Sequence, residues 1–244
     1  MEKKKSMILK VKNDLFDYPD RCIMQIQNGF KFSLDSLLLA EYVKCQKSDK
    51  NILDMCTGNA PIPLVLSLKT NANIVGFEIQ KEIALLANES VIINKLDKQI
   101  KIINDDIKNI NNYYAKNSFD VITCNPPYFN TKEDGFVNKN EMLLIARHEI
   151  KITLKDIFLI AKDYLKDNGV FYLVHRSNRL DEIIALAKKN NLNVKEIQLI
   201  STKKNSDPNT VLCKCVKNSK DGVKIKNIIC VDKLSTYQHL FEGR

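Results

Sequence analysis

The chain has 244 residues, 44% of them hydrophobic, and a formal net charge of +9. That length and apolar content suit one large domain with a full core, and no apolar run approaches a membrane span. The positive balance favours a polyanionic partner, since phosphate contacts dominate nucleic-acid affinity, although scattered lysines also simply solvate a surface.

The start, Met1-Glu2-Lys3-Lys4-Lys5, leads into no long apolar segment, which predicts a cytoplasmic protein without a secretory signal. Residues 22–32 alternate in polarity around Asn28-Gly29, a hairpin signal. Asp35 is expected to cap a helix running through Leu37, Leu38 and Leu39 to about Val43. From Asn51 the pattern alternates strand and helix. Strands are expected at 52–55, 74–77, 100–103, 119–124 and 170–174, and helices at 62–68, 81–96, 154–165 and 180–190. Three further strands are expected at 194–201, 210–217 and 223–231, with an antiparallel finish, and 129–150 shows no clear period. This order predicts an α/β fold: a mostly parallel, Rossmann-like, seven-stranded sheet with helices on both faces. One domain is expected over 1–244, with a hairpin-and-helix extension at 1–46 and the core at 47–244.

The seven cysteines (Cys22, Cys45, Cys56, Cys124, Cys213, Cys215, Cys230) form no Cys-x-x-Cys pair, and there are only three histidines. Reduced core thiols and no metal are therefore expected.

In such a sheet a ligand binds beyond the carboxyl ends of the strands. Asp54, Glu78, Asp105, Asp106 and Asn125 all fall there. The turn Asp54-Met55-Cys56-Thr57-Gly58-Asn59-Ala60 keeps one glycine where a dinucleotide fingerprint wants three. Glu78, twenty residues after Gly58, stands where an acid can take both hydroxyls of a ribose. Four carboxylates at one rim repel a pyrophosphate but suit a cationic, phosphate-free nucleoside. S-adenosylmethionine (AdoMet) has those properties.

Asn125-Pro126-Pro127-Tyr128 closes the strand at 119–124. Two prolines fix two φ angles and extend the residues before them, which makes a stiff arm carrying an amide and an aromatic ring. Such an arm suits a flat, amino-bearing group.

With these residues in place, the chain resembles the AdoMet-dependent, Rossmann-like methyltransferases, in the N6-adenine branch that carries Asn-Pro-Pro-Tyr. Within it, the chain is similar to the bacterial tRNA (adenine-N6) methyltransferases that act beside the anticodon, at position 37 of a valine tRNA. The closer likeness rests on Gly29-Phe30-Lys31-Phe32-Ser33-Leu34-Asp35-Ser36-Leu37-Leu38-Leu39-Ala40, on Ala146-Arg147-His148-Glu149 and on His175-Arg176-Ser177-Asn178-Arg179-Leu180. The chain departs from the pattern at Cys56 and Ala60, where similar enzymes carry glycine.

The resemblance implies a role for each matched residue. Asp54 orients the turn and the AdoMet amino group, with Thr57 and Gly58 in the cofactor wall. Glu78 holds the ribose, and Asp106, or else Asp105, takes the cofactor adenine. The Asn125 side-chain oxygen and the Pro126 carbonyl accept from the target amine, and Tyr128 stacks on the target base beside Pro127. Arg147 and His148 are placed on the substrate side. The implied partner is the anticodon stem-loop of tRNA, met by a monomer.

Rival readings share the tetrapeptide. Glutamine-N5 methylation of a protein usually comes with a leading helical domain, and DNA adenine methylation with a large recognition insert. Guanine-N2 methylation of ribosomal RNA fits the tetrapeptide equally well. A binding module without turnover would not need Asn125.

Overall fold

Ile52 and Leu53 are neighbours on one strand, yet they end in two different hydrophobic cores. The same split separates Ile74 from Val75 and Val121 from Ile122. Successive side chains on a strand point to opposite faces, so a strand apolar at every position must be covered on both. The computed structural model, which describes residues 9–16, 18–27, 32–127 and 152–231, shows that arrangement.

Its central sheet contains β3 (Asn51–Met55), β4 (Asn73–Phe77), β5 (Ile100–Ile103), β6 (Phe119–Cys124), β7 (Leu165–Arg176), β8 (Leu192–Ser201) and β9 (Thr210–Lys217), with two-residue strands β10 (Lys224–Ile225) and β11 (Ile229–Cys230). The order is β10-β8-β9-β7-β6-β3-β4-β5, with β11 also on β8. From β5 through β7 every pairing is parallel. β9 runs antiparallel to both β7 and β8.

Helices α1 (Leu34–Tyr42) and α2 (Pro61–Leu66) cover one face, helped by Val91 of α3 (Lys81–Ile93). Helices α4 (Leu154–Tyr164) and α5 (Leu180–Lys189), with a short 3-10 turn at Ile107–Asn112, cover the other. Thr153 and Asp156 form a reciprocal capping box at the start of α4.

Three expectations need correction. The hairpin joins β1 (Lys10–Leu15) to β2 (Tyr18–Ile26), so residues 22–26 form its second strand. Leu15 pairs with Tyr18, and Phe16 takes a left-handed φ of 43° at the bend, while Asn28 and Gly29 lie outside the described residues. Polar β1 hides this pairing in the sequence, and docking on α3 fixes it. Ser90 of that helix bonds the backbone of Met24, and its C-cap Asn94 bonds that of Cys22. At α1, Ser33 rather than Asp35 is the N-cap, and Asp35 lies in the first turn. At the end of the chain, the strand expected over 223–231 is two short pieces, both parallel to β8, so the described sheet has nine strands.

No helix among the described residues is long and apolar enough to cross a membrane. All seven cysteines are free thiols.

Candidate active site

Asp54 ends β3 completely buried, and hydroxyls engage both of its oxygens. Thr57 Oγ1 donates to Oδ2 at 2.6 Å, and Thr123 Oγ1 of β6 donates to Oδ1 at 2.6 Å. Burial pushes the Asp54 carboxyl up to about 7 against the pull of these two bonds, and the nearby Glu78 adds to the rise. The group is a post that ties the turn to the neighbouring strand. Thr57 reaches it because Gly76 stands alongside: a Cβ there would come within 2.8 Å of Thr57 Oγ1. The Thr57 amide also donates to the Phe77 carbonyl at 2.8 Å.

The turn itself follows a glycine-type path without the glycines. Cys56, Gly58 and Ala60 have φ of 58°, 58° and 72°. Left-handed backbone costs a residue with a Cβ roughly 1–2 kcal/mol. Cys56 and Ala60 therefore carry strain that glycine would not, yet the path is kept. Burial, followed by a hydrogen bond that the Cys124 thiol shares with Cys56, raises the Cys124 thiol well above its usual range, so the Cys56 sulfur faces β6.

Glu78, at the end of β4, is 6% exposed. Its Oε2 accepts from Gly58 N at 3.0 Å and its Oε1 from Gln80 N at 2.8 Å. Burial raises its pKa, and these backbone donors oppose the rise. Beyond β5, Asp105 accepts from the Asp106 amide, from Asn109 Nδ2 and from the Tyr113 hydroxyl, bonds to side chains that hold its carboxyl below its ordinary value. Asp106 caps the 3-10 turn by accepting from Lys108 N at 3.0 Å. Asn104 Nδ2 donates to the Glu78 carbonyl at 2.8 Å and so ties the ends of β5 and β4 together.

Asn125 follows β6 one strand away. Met55 is in register with Cys124, so Asn125 lies one residue beyond the level where β3 enters its turn. Its Nδ2 donates to Ser36 Oγ at 2.8 Å, in the first turn of α1, and to Ser33 Oγ at 3.1 Å, at its N-cap. Pro126 is buried and Pro127 half-buried. The structure thus gathers Asp54, Thr57, Gly58, Glu78, Asp105, Asp106, Asn125, Pro126 and Pro127 along one rim. Tyr128, Arg147 and His148 lie outside the described residues.

His175 is buried at the end of β7 with its Nδ1 accepting from Arg176 N at 2.8 Å. Burial first, and Arg179 second, push it down to about 4, so it is neutral near pH 7. Exposed Arg176 pairs in register with Thr210. Ser177 N and Oγ donate to the Asn209 and Pro208 carbonyls. The loop 202–209, with exposed Lys203 and Lys204, is thereby stitched to the end of β7.

Residues 46–231 match a family model described as a methyltransferase domain. The chain belongs to this methyltransferase family. It is 26% identical over 214 residues to a Bacteroides thetaiotaomicron protein named tRNA1(Val) (adenine(37)-N6)-methyltransferase, covering 87% of each chain. A Phocaeicola vulgatus protein of the same name is 27% identical over 195 residues, covering 80% of this chain and 78% of that one. Among solved structures, a predicted O-methyltransferase from Agrobacterium tumefaciens aligns with a TM-score of 0.62 at 19% identity, over 81% of this chain and 87% of that one. M. jannaschii TYW2, solved with AdoMet, aligns at 0.56 and 14% identity, over 86% and 87%. At such identities the structural likeness shows a shared class I methyltransferase fold.

For a methyltransferase of this fold, the sequence reading missed Thr123, Asn104, Ser33 and Ser36. Each acts by holding another site residue. Thr123 carried a faint signal, as a hydroxyl two residues before the tetrapeptide inside an apolar strand. The two serines lay inside the 29–40 stretch that carries the family likeness, with nothing to tie them to Asn125.

Proposed function

We propose that the protein is an AdoMet-dependent methyltransferase that modifies the exocyclic N6 of an adenine in tRNA, the adenine at position 37 beside the anticodon of a valine tRNA. The observation that carries this reading is the placement of Asn125 and Pro126 one strand from the acid-lined turn of Asp54 and Glu78.

The donor set fits the cofactor. Burial has raised both Asp54 and Glu78, so a cationic ligand stabilises their ionised forms where a pyrophosphate would be repelled. Among the described residues, the buried Asn59 side-chain oxygen has no partner and is left over in the turn as an acceptor. When bound, AdoMet supplies the methyl group as an electrophile on a sulfonium. Glu78 then holds the ribose and Asp106, or else Asp105, the cofactor adenine. Asp54 keeps the turn in place and draws the ammonium.

The adenine amine is a weak nucleophile because its lone pair is shared with the ring. Acceptors at the Asn125 side-chain oxygen and the Pro126 carbonyl favour the pyramidal nitrogen, and they face the positive charge that grows on it. No strong general base is required, since the proton can leave after transfer. The remaining contribution is alignment of the amine with the methyl. The target base leaves its stack to reach this pocket and stacks on Tyr128, while Pro127, Arg147 and His148 complete the substrate side. Arg176, Lys203 and Lys204 stand on the same rim to hold phosphates. In this reading the protein works as a monomer in the cytoplasm.

Incubation with labelled AdoMet and total RNA, followed by nucleoside mass spectrometry, tests the proposal. N6-methyladenosine in the tRNA fraction is the expected product. Label in protein as N5-methylglutamine, or in ribosomal RNA as N2-methylguanosine, would replace it with one of the rivals.

A further inference from the structure

Both Nδ2 hydrogens of Asn125 have a serine to bond. Ser36 Oγ stands at 2.8 Å and Ser33 Oγ at 3.1 Å, and these residues lie 89 and 92 positions earlier in the chain. Ser36 is 6% exposed and Ser33 is the N-cap of α1. The Ser36 amide also donates to the Ser33 carbonyl at 3.1 Å, which fixes the spacing of the two hydroxyls. The helix is itself anchored. Glu41 near its far end takes bonds from Tyr18 of the hairpin and from Lys69 after α2. The serines therefore sit on a rigid base.

An amide is planar, so committing its nitrogen in one direction commits its oxygen in another. A rotation of about 180° around χ2 would present an NH2 group to the target amine, where an acceptor is needed. The backbone of the tetrapeptide restricts where the side chain starts but not this last torsion, which is broad for asparagine.

We infer that Ser33 and Ser36 form a clamp that holds the Asn125 amide by its nitrogen, with its oxygen turned the other way to accept from the target amine, which makes them positioning residues for methyl transfer. The inference rests on the proposed role of Asn125 and extends it to α1, an element outside the strand–helix core that carries the cofactor. It applies equally if the acceptor is a glutamine amide or a guanine, because the planar nitrogen poses the same problem.

The clamp is tested in the full-length protein with Ser36→Ala, Ser33→Ala, the double variant and Ser36→Thr. Losing one such bond is expected to lower kcat about tenfold, and losing both further, with KM for RNA and the AdoMet dissociation constant unchanged. Ser36→Thr retains a hydroxyl and is expected to restore most of the rate. In an Asn125→Ala background, Ser36→Ala is expected to lower the residual rate no further. Wild-type kcat in the double variant overturns the clamp. So does a loss of rate that tracks weaker AdoMet binding or a lower Tm, or one that persists undiminished in the Asn125→Ala background.

A second readout needs no substrate. The Asn125 side-chain NH2 in a 15N–1H NMR spectrum is expected to exchange slowly in the wild type and to lose that protection in the double variant. Equal exchange in both overturns the clamp even if no acceptor for the enzyme is found. Failure of the wild type to methylate tRNA, by contrast, bears on the proposed substrate alone.

Discussion

The β3–β5 half of the sheet's carboxyl rim and the β6–β9 half carry opposite chemistry. On the first, Asp54 and Glu78 are buried acids held by hydroxyl and backbone donors, and Asp105 and Asp106 follow at the surface. On the second, the neutral amide of Asn125 gives way to Arg176, Lys203 and Lys204, all exposed. The acid half is rigid and closely hydrogen-bonded, as befits a small ligand enclosed on most sides. The basic half stands outward. β7 continues from Leu173, level with Cys124, to Arg176, so at 3.3 Å per residue Arg176 projects about 7 Å beyond Asn125's level. A large polyanion can rest there without entering the cofactor's space.

The sharpest way to break this division is to mutate one residue on each side. Asn125→Ala is expected to lower turnover by about 10²–10³-fold, as removal of one transition-state hydrogen-bonding group does, with AdoMet affinity nearly unchanged. Glu78→Ala is expected to do the reverse, weakening AdoMet about 10- to 100-fold while leaving more of the rate at saturating cofactor. Single-turnover kinetics and calorimetry on both variants decide the matter. If each variant lost both properties equally, the two halves would not be separable.

Proton uptake distinguishes the halves next. Asp54 titrates at about 7 when folded and near 3.8 when unfolded, so between those values the folded state holds the extra proton. Its contribution to stability is complete below pH 4 and declines as pH rises to 7. A cationic ligand favours the ionised form, so AdoMet binding is expected to release a proton at pH 6 and to tighten towards pH 8. Calorimetry at pH 6 in buffers of different ionisation enthalpy measures the release. Its absence would mean that the ligand's charge lies away from the acids.

On the basic side a smaller, salt-dependent effect is expected. Lys203→Ala and Lys204→Ala should each weaken RNA binding across sequences and reduce the slope of log K against log salt by about 1. AdoMet affinity should not change. A filter-binding salt series checks this, and unaltered slopes would remove the loop from the interface.

The smallest effect concerns the strained turn. Cys56→Gly relieves a left-handed residue at φ 58° and is expected to leave AdoMet affinity intact while changing unfolding free energy by no more than about 1 kcal/mol. Thermal unfolding with and without AdoMet measures both. A large loss of affinity would show that the thiol, rather than the backbone path, is what the ligand needs.

Much of this was legible in the sequence because a parallel sheet buried on both faces leaves near-continuous apolar runs. Ile52-Leu53, Ile74-Val75 and Val121-Ile122 announce their strands for that reason. The acids at the strand ends stood out because nothing in a strand's interior explains a carboxylate there. The hairpin's first strand was missed because β1 is largely exposed and polar, and its pairing shows only once β2 is seen docked on Ser90 of α3. The serine clamp was invisible for a deeper reason. A side chain whose partner lies some ninety residues away has no local pattern to betray it, and Asp35 drew the expected cap away from Ser33.

The reversal of β9 has one more consequence. Because it runs antiparallel to β8 and returns between β8 and β7, the β8–β9 connection is an eight-residue hairpin loop at the rim, whereas β7 and β8 are joined by the α5 crossover. Both ends of that loop are pinned, by Asn209 N on the Ile200 carbonyl at 3.2 Å and by Ser177 on Pro208 and Asn209. Lengthening or recoding 202–207, with the pinned residues kept, is therefore expected to disturb neither strand register nor either core. The fold has a natural graft point there, where new nucleic-acid preferences could be selected while the acid half of the rim remains untouched.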